Sequence, residues 1–145
     1  MRIDQIQIKT NDIQKTKAFY QNLFGLFILE NDQKSITFQA GTSILKFVED
    51  PDFNSIYHFA FNIPENQLEE AIQWCKDKVD LIVLEDKSVV TNFENWNAHS
   101  IYFFDHNGNL LEFIARHDLN NEQVGEFNSA SILSISEIGI VTESP

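Results

Sequence analysis

The chain uses one strand pattern twice, and that duplication constrains it more than any other feature. Asp4-Gln5-Ile6-Gln7-Ile8-Lys9 superposes on Tyr57-His58-Phe59-Ala60-Phe61-Asn62, and Ser43-Ile44-Leu45-Lys46-Phe47-Val48 on Asn109-Leu110-Leu111-Glu112-Phe113-Ile114. Two strand patterns recurring in the same order mean one supersecondary unit used twice. The alternation of apolar and polar residues predicts sheets with one buried face. Such a face must be covered by another layer, and the mate module and the module's own helix can cover it.

The elements between the repeated strands follow the same order. Residues 1–50 read strand, helix, then three short strands at 27–30, 35–39 and 43–48. The helix has Asn11 or Asp12 as its cap, an apolar stripe of Ile13, Thr16, Phe19, Tyr20 and Leu23, and Gly25 at its stop. Residues 54–117 repeat this: a strand at 57–63, a helix opened by Pro64-Glu65 with a stripe of Leu68, Ala71/Ile72 and Cys75, a strand at 81–84, an ambiguous stretch at 85–97, and a hairpin. The hairpin spans Tyr102-Phe103-Phe104-Asp105-His106-Asn107-Gly108-Asn109-Leu110-Leu111-Glu112-Phe113. Asn107-Gly108 is its turn signal, because both residues tolerate positive φ. The expected architecture is α+β: two paired βαβββ modules forming a curved mixed sheet around a groove, with residues 1–117 as one domain.

Glu112 is the conspicuous residue of the last strand. A carboxylate buried there without a partner is costly, so it calls for a metal, a cation or solvent. Under the repeat, Gln5, Lys46, His58 and Glu112 take equivalent positions, each opposite the face beneath a helix. The repeat therefore predicts that these four polar side chains converge in the groove. Taken as residues alone, Glu112 pairs with Lys46 or faces solvent as readily as it binds a metal. His58, on a face with Ala60 and Asn62, is as readily hydrogen-bonded as metallated. His99, Trp96 and Tyr102 are candidates for lining a substrate, with Phe93 beside Trp96; Phe19 and Tyr20 are read as core, and His117 as solvated.

Composition removes several classes of function. The formal charge of −12 argues against nucleic acid or an anionic membrane as partner and favours a cationic ligand. The single cysteine, Cys75, rules out a disulfide framework and a Cys/His zinc cluster. No run reaches the length of a membrane span, and Met1-Arg2-Ile3-Asp4 lacks the apolar core of a signal peptide, so a cytoplasmic protein is expected. Residues 118–145 form a C-terminal extension with an extra strand at about 135–141. There, Ile135-Ser136-Glu137-Ile138-Gly139-Ile140-Val141-Thr142 echoes Ile3-Asp4-Gln5-Ile6-Gln7-Ile8-Lys9-Thr10. An apolar strand of this kind is expected to pair with a sheet edge, in this chain or across a homodimer.

With these landmarks the chain resembles the vicinal oxygen chelate superfamily of glyoxalases, ring-cleaving dioxygenases and bleomycin- or fosfomycin-resistance proteins. The motifs that carry the resemblance are Ile6-Gln7-Ile8-Lys9-Thr10-Asn11-Asp12 leading into Phe19-Tyr20, then His58-Phe59-Ala60-Phe61, and Phe104-Asp105-His106-Asn107-Gly108-Asn109-Leu110-Leu111-Glu112-Phe113. The last is similar to the family's Asp-Pro-x-Gly-Asn-x-x-Glu, with His106 in place of Pro. The resemblance implies a divalent metal (Zn, Ni, Mn or Fe) held by Gln5, His58 and Glu112, and a small substrate with vicinal oxygens. Glu112 and Lys46 would be the catalytic pair. Gln5 stands where His is commonest, and Lys46 where the glyoxalases proper have Glu. A charged lysine offers donors and no acceptor, so it cannot ligate. The resemblance therefore implies either a metal-dependent lyase, isomerase or dioxygenase, or a metal-free protein that sequesters a ligand. The tail alone suggests a third role, an assembly module.

Overall fold

The structure is a computed structural model that describes residues 2–141. Thr142, the last position of the echo, lies outside the described residues. The first sheet contains β1 (Gln5–Thr10), β2 (Phe27–Asn31), β3 (Ser35–Ala40) and β4 (Ser43–Glu49), in the order β1-β4-β3-β2. The second contains β5 (Ile56–Ile63), β6 (Thr91–Phe93), β7 (Ala98–Phe104), β8 (Leu110–Arg116) and β9 (Ser134–Val141), in the order β6-β7-β8-β5-β9. Without β9 the two orders coincide. The registers coincide as well: β1 runs parallel to β4 with Gln5↔Ile44 and Gln7↔Lys46, and β5 parallel to β8 with His58↔Leu110 and Ala60↔Glu112.

Helix α1 (Ile13–Lys17) starts at Asp12, whose carboxylate accepts from the Lys15 N–H at 3.1 Å, and continues as a π-helical segment, Ala18–Leu23. The wider turn sets Phe19, Tyr20 and Phe24 into the core, all less than one-tenth exposed. Helix α2 (Leu68–Cys75) buries Ala71 and Cys75.

Three local expectations fail. Helix α2 starts at Leu68, because Pro64, Glu65 and Asn66 form a turn closed by the Gln67 N–H donating to the Pro64 carbonyl at 3.0 Å. Residues 81–84 are not a strand: the Ile82 N–H donates to Tyr102, but Leu84 turns back to Ser88, and the edge strand that forms is β6 within the ambiguous stretch. The hairpin loop is Asp105–Asn109, longer than a two-residue turn, and only Gly108 has positive φ (79°). The Asp105 carboxylate holds it by accepting from the N–H groups of Asn107 and Asn109, at 2.8 and 3.0 Å. Asx side chains make such turns by substituting for backbone acceptors.

The same loop docks on the first module. The Tyr20 hydroxyl donates to Asp105 at 2.6 Å, and burial, with Asp105 beside it, raises the Tyr20 pKa well above its ordinary value. His106 reaches further than the turn: its Nε2 lies 2.9 Å from the Thr16 hydroxyl and its ring packs against Phe19 and Tyr20. Burial lowers the His106 pKa below 6.5, against the charges of Asp105 and Asp12 and with that of Lys15. The folded protein thus prefers the neutral ring. The His106 contribution to stability is fully present above pH 6.5 and is lost as pH falls through 6.5 toward the lower folded-state value. In denaturant titrations at stepped pH, His106→Phe should remove that part of the acid sensitivity. An unchanged slope against pH would contradict it.

β9 occupies the seam between the sheets. It pairs antiparallel with β5 from Ile56↔Val141 to Asn62↔Ser134, while Ile135 also bridges Ile3 just before β1. The Ser43 hydroxyl donates to the Ile3 carbonyl at 2.6 Å and accepts from the Ile135 N–H at 2.8 Å, tying β4, the entry to β1 and β9 together.

Candidate functional site

Strand alternation places His58, Ala60 and Asn62 of β5, and Glu112, Ile114 and Arg116 of β8, on one face, opposite the apolar Phe59, Phe61 and Phe113. On β7 the same face carries Ser100 and Tyr102, because Tyr102 registers with Glu112 and Ser100 with Ile114. Glu112 is 4% exposed and fully partnered: Ser100 donates to its Oε2 at 2.5 Å, and His58 Nε2 lies 3.1 Å from its Oε1. The hydrogen bond to Glu112, outweighing burial and aided by the charges of Glu112 and Glu137, raises the His58 pKa above 6.5. Burial, with Glu112 alongside, pushes the Tyr102 hydroxyl up to about 12. His58 and Tyr102 have ring centroids 6.3 Å apart. The site therefore presents an imidazole, a carboxylate and two hydroxyl-bearing side chains on a half-buried surface.

The four-residue convergence expected from the repeat does not occur within the chain. Gln5 and Lys46 face a separate cavity of about 490 Å³ on the first sheet, lined also by Leu29, Glu30, Thr37 and Ile44. No ion pair joins Lys46 to Glu112 among the described residues, since His58 and Ser100 take the two carboxylate oxygens. The physical reason is β9, which separates β5 from the entry to β1. Among the described residues, no three His, Cys, Asp or Glu side chains surround one point. The donors that do meet, an imidazole nitrogen and a carboxylate oxygen, suit Zn, Ni, Mn or Fe as a partial set.

His99 lies on the opposite face of β7 from Tyr102 and does not line the groove. Its Nδ1 is 2.8 Å from His117 Nε2, and His117 Nδ1 is 2.8 Å from Glu65, so His117 is bonded rather than solvated. Trp96 is 58% exposed and stacks on Phe93 at 5.2 Å, and Phe93 packs against Ala60, Ala98 and Ile114. The aromatic pair thus stands at the rim of the second sheet's open face, beside a cavity of about 420 Å³ lined by residues 92–96. Two further residues of this face went unread in the sequence. Ser100 is readable as two positions before Tyr102 on an alternating strand. Glu137 is readable from the tail's echo, which aligns it with Gln5. Glu137 sits on β9 opposite Ala60 and accepts from Arg116 at 3.1 Å; Arg116 also donates to Ser136 at 2.8 Å.

The model of the glyoxalase/bleomycin resistance protein/dioxygenase superfamily matches residues 2–113. Metallothiol transferase FosB of Staphylococcus haemolyticus is 28% identical over 117 residues, covering 76% of this chain and 80% of that protein. FosB of Staphylococcus saprophyticus is 29% identical over 116 residues, covering 76% and 74%. Among solved structures, an integron cassette protein from the mobile metagenome of a Halifax Harbour sewage outfall aligns with a TM-score of 0.69 at 22% identity, over 78% of this chain and 97% of its own. The bleomycin resistance determinant encoded on transposon Tn5 aligns at 0.60 and 20%, over 81% and 99%. At these identities the structural likeness is one of fold. The family match runs from the entry to β1 through the strand that carries Glu112, and the chain belongs to the glyoxalase/bleomycin resistance protein/dioxygenase superfamily.

Proposed function

We propose that the chain is a metal-dependent enzyme of this superfamily acting on a small substrate with adjacent oxygens. The observation that supports it most is the His58–Glu112 pair at 3.1 Å, a buried carboxylate joined to a partly exposed imidazole. His58 Nε2 and Glu112 Oε1 would hold the ion. A bound divalent metal would supply Lewis-acid stabilisation of negative charge on a substrate oxygen. Ser100 fixes the carboxylate's orientation by holding its second oxygen, and Tyr102 offers a protonated hydroxyl at neutral pH. Phe93 and Trp96 give the substrate an apolar wall. Lys46 has no part in this reading within one chain, because it lies on the first sheet and faces that sheet's own cavity. The name of the FosB relatives makes thiol transfer the first reaction to assay.

The test is metal uptake by the purified chain. Binding to the folded state raises stability by about 2.7 kcal/mol when free metal is a hundredfold above Kd. Thermal shift with Zn²⁺, Mn²⁺, Ni²⁺ or Fe²⁺ should show such a rise, and His58→Ala and Glu112→Gln should abolish it while the proteins remain folded. A chain that takes up none of these metals would instead support the sequestering reading. That reading is favoured by the two side chains that already take both Glu112 oxygens and by the Phe93–Trp96 stack, with Trp96 exposed, in a protein of formal charge −12.

A further inference from the structure

We propose that Glu65, His117 and His99 form a proton-counting latch: with at most one added proton on the two rings it holds residues 117–126 against the entry to α2, and with a second it opens.

The argument begins with donors and acceptors. His117 Nδ1 lies 2.8 Å from Glu65 Oε2, in the turn before α2, and His117 Nε2 lies 2.8 Å from His99 Nδ1 on β7. An ionised carboxylate only accepts, so His117 Nδ1 carries the hydrogen, and Nε2 of the neutral ring is the acceptor. His99 Nδ1 then donates to it, which leaves His99 Nε2 to take the first added proton without breaking either bond. A second added proton puts N–H groups on both facing nitrogens. Two charged donors cannot bond each other at that separation, and their like charges repel. The rings must part.

The surroundings add no other partner. β6 sets neutral Asn92 opposite His99, and β8 sets Ala115 there. Glu69 and Glu70 on α2, Glu94 after β6, and Asp118 and Glu122 beyond β8 are exposed, so water and salt screen their charges. Arg116 is taken by Glu137 and Ser136. Glu65 is the one carboxylate bonded to either ring among the described residues.

The segment beyond β8 depends on this contact because apolar burial does little for it. From Asp118 to Glu126 every residue except Asn121 is exposed, and the next apolar anchor is the buried Phe127. Its other ties are polar and start from residues 65–67. The Glu65 N–H donates to Asn121 at 2.7 Å, Asn66 exchanges two bonds with Gln123 at 2.9 and 3.0 Å, and the Gln67 side chain donates to the Gly125 carbonyl at 3.1 Å. Segments with exposed hydrogen bonds and few apolar contacts are the ones that open locally. Leu119 also forms one wall of a cavity of about 370 Å³, lined by Asn62, Arg116, Ser136 and Glu137, at the end of the face that carries His58 and Glu112. Release of the segment would widen that end of the face.

Hydrogen exchange at single residues of the full chain, expressed as protection relative to the free-peptide rate, tests the latch. Between about pH 7.5 and about pH 5, either side of the ordinary histidine value, the amides of Glu65, His117 and Gln123 should lose protection while those of β8 keep it. The loss should be roughly tenfold or more, the effect of losing one hydrogen bond to a charged group. In His99→Gln the loss should disappear, because one ring remains to charge and the amide oxygen can accept from it. His106→Phe should leave the loss in place, which separates the latch from the acid sensitivity of that other ring. Nitrogen NMR of the wild type gives a readout that needs no variant. At neutral pH His117 should carry its hydrogen on Nδ1, with a coupling across the bond to His99 Nδ1 that vanishes as protection falls. Equal loss in His99→Gln, no loss in the wild type, or His117 protonated on Nε2 alone at neutral pH would overturn the proposal.

Discussion

Gly41→Val should destabilise the protein by roughly 2–5 kcal/mol, combining left-handed strain on a β-branched residue with displacement of packed backbone. Gly41 has φ of +61°, and a β-carbon there would fall 1.9 Å from the Leu133 carbonyl oxygen and 2.6 Å from that of Ile132. Both obstacles are main chain, so no side chain can swing aside. The Thr42 N–H also donates to the Leu133 carbonyl at 2.9 Å, and that contact would open. The effect should concentrate on β9: amide exchange across residues 134–139 should accelerate more than exchange in β3 or β4. Gly108→Ala is the control. Its φ is +79°, but nothing lies within 4 Å of an added β-carbon, so only the conformational cost applies. If Gly41→Val proved no more damaging than Gly108→Ala in denaturant unfolding, the tight seating of the C-terminal segment against the first module would be wrong.

Phe113→Ala should cost about 3–5 kcal/mol, the range for emptying an aromatic site in a core that cannot collapse around it. Phe113 is fully buried, and its ring centroid lies 5.1 Å from that of Phe103, 5.7 Å from Phe127, 6.0 Å from Phe24, 6.1 Å from Phe61 and 6.2 Å from Trp74. Those partners come from the first module, β5, α2, β7 and the segment before β9, so the cavity would open where every part of the chain meets. Chemical denaturation should show a lower midpoint. Phe104→Ala, at a side chain 54% exposed, should change stability by no more than about 0.5 kcal/mol. Similar losses at the two positions would mean that the core is not organised around Phe113.

What could be read from the residues was whatever short-range periodicity determines. The alternation in 57–63 and 109–114 assigns His58 and Glu112 to one face, and the repeat assigns the parallel pairing that brings them together, as it does for Gln5 and Lys46. The relation between the modules was not readable in this way. Placing Gln5 beside His58 presumes that β1 and β5 are neighbours, and that depends on where a distant apolar segment docks. The tail was read as a strand seeking an edge, but which edge is a tertiary choice. The bonding of His117 and the reach of His106 escape local reading for a related reason: their partners, Glu65 and Thr16, are remote in sequence, and nothing local signals such contacts. Residues 81–84 show the converse, an apolar run that joins no ladder: Leu81 packs partly against the core while Val83 stays exposed.

The position of β9 also bears on how the protein is made. Its partner β5 is synthesised long before residues 134–141 leave the ribosome, and until then one side of an aromatic-rich strand presents open amide and carbonyl groups. Nascent chains in that interval are exposed to strand addition by neighbours, a common route to aggregation. Yield in the cell should therefore depend on how long translation dwells between Arg116 and Ser134, and slowing the ribosome there should send more of the product into inclusion bodies.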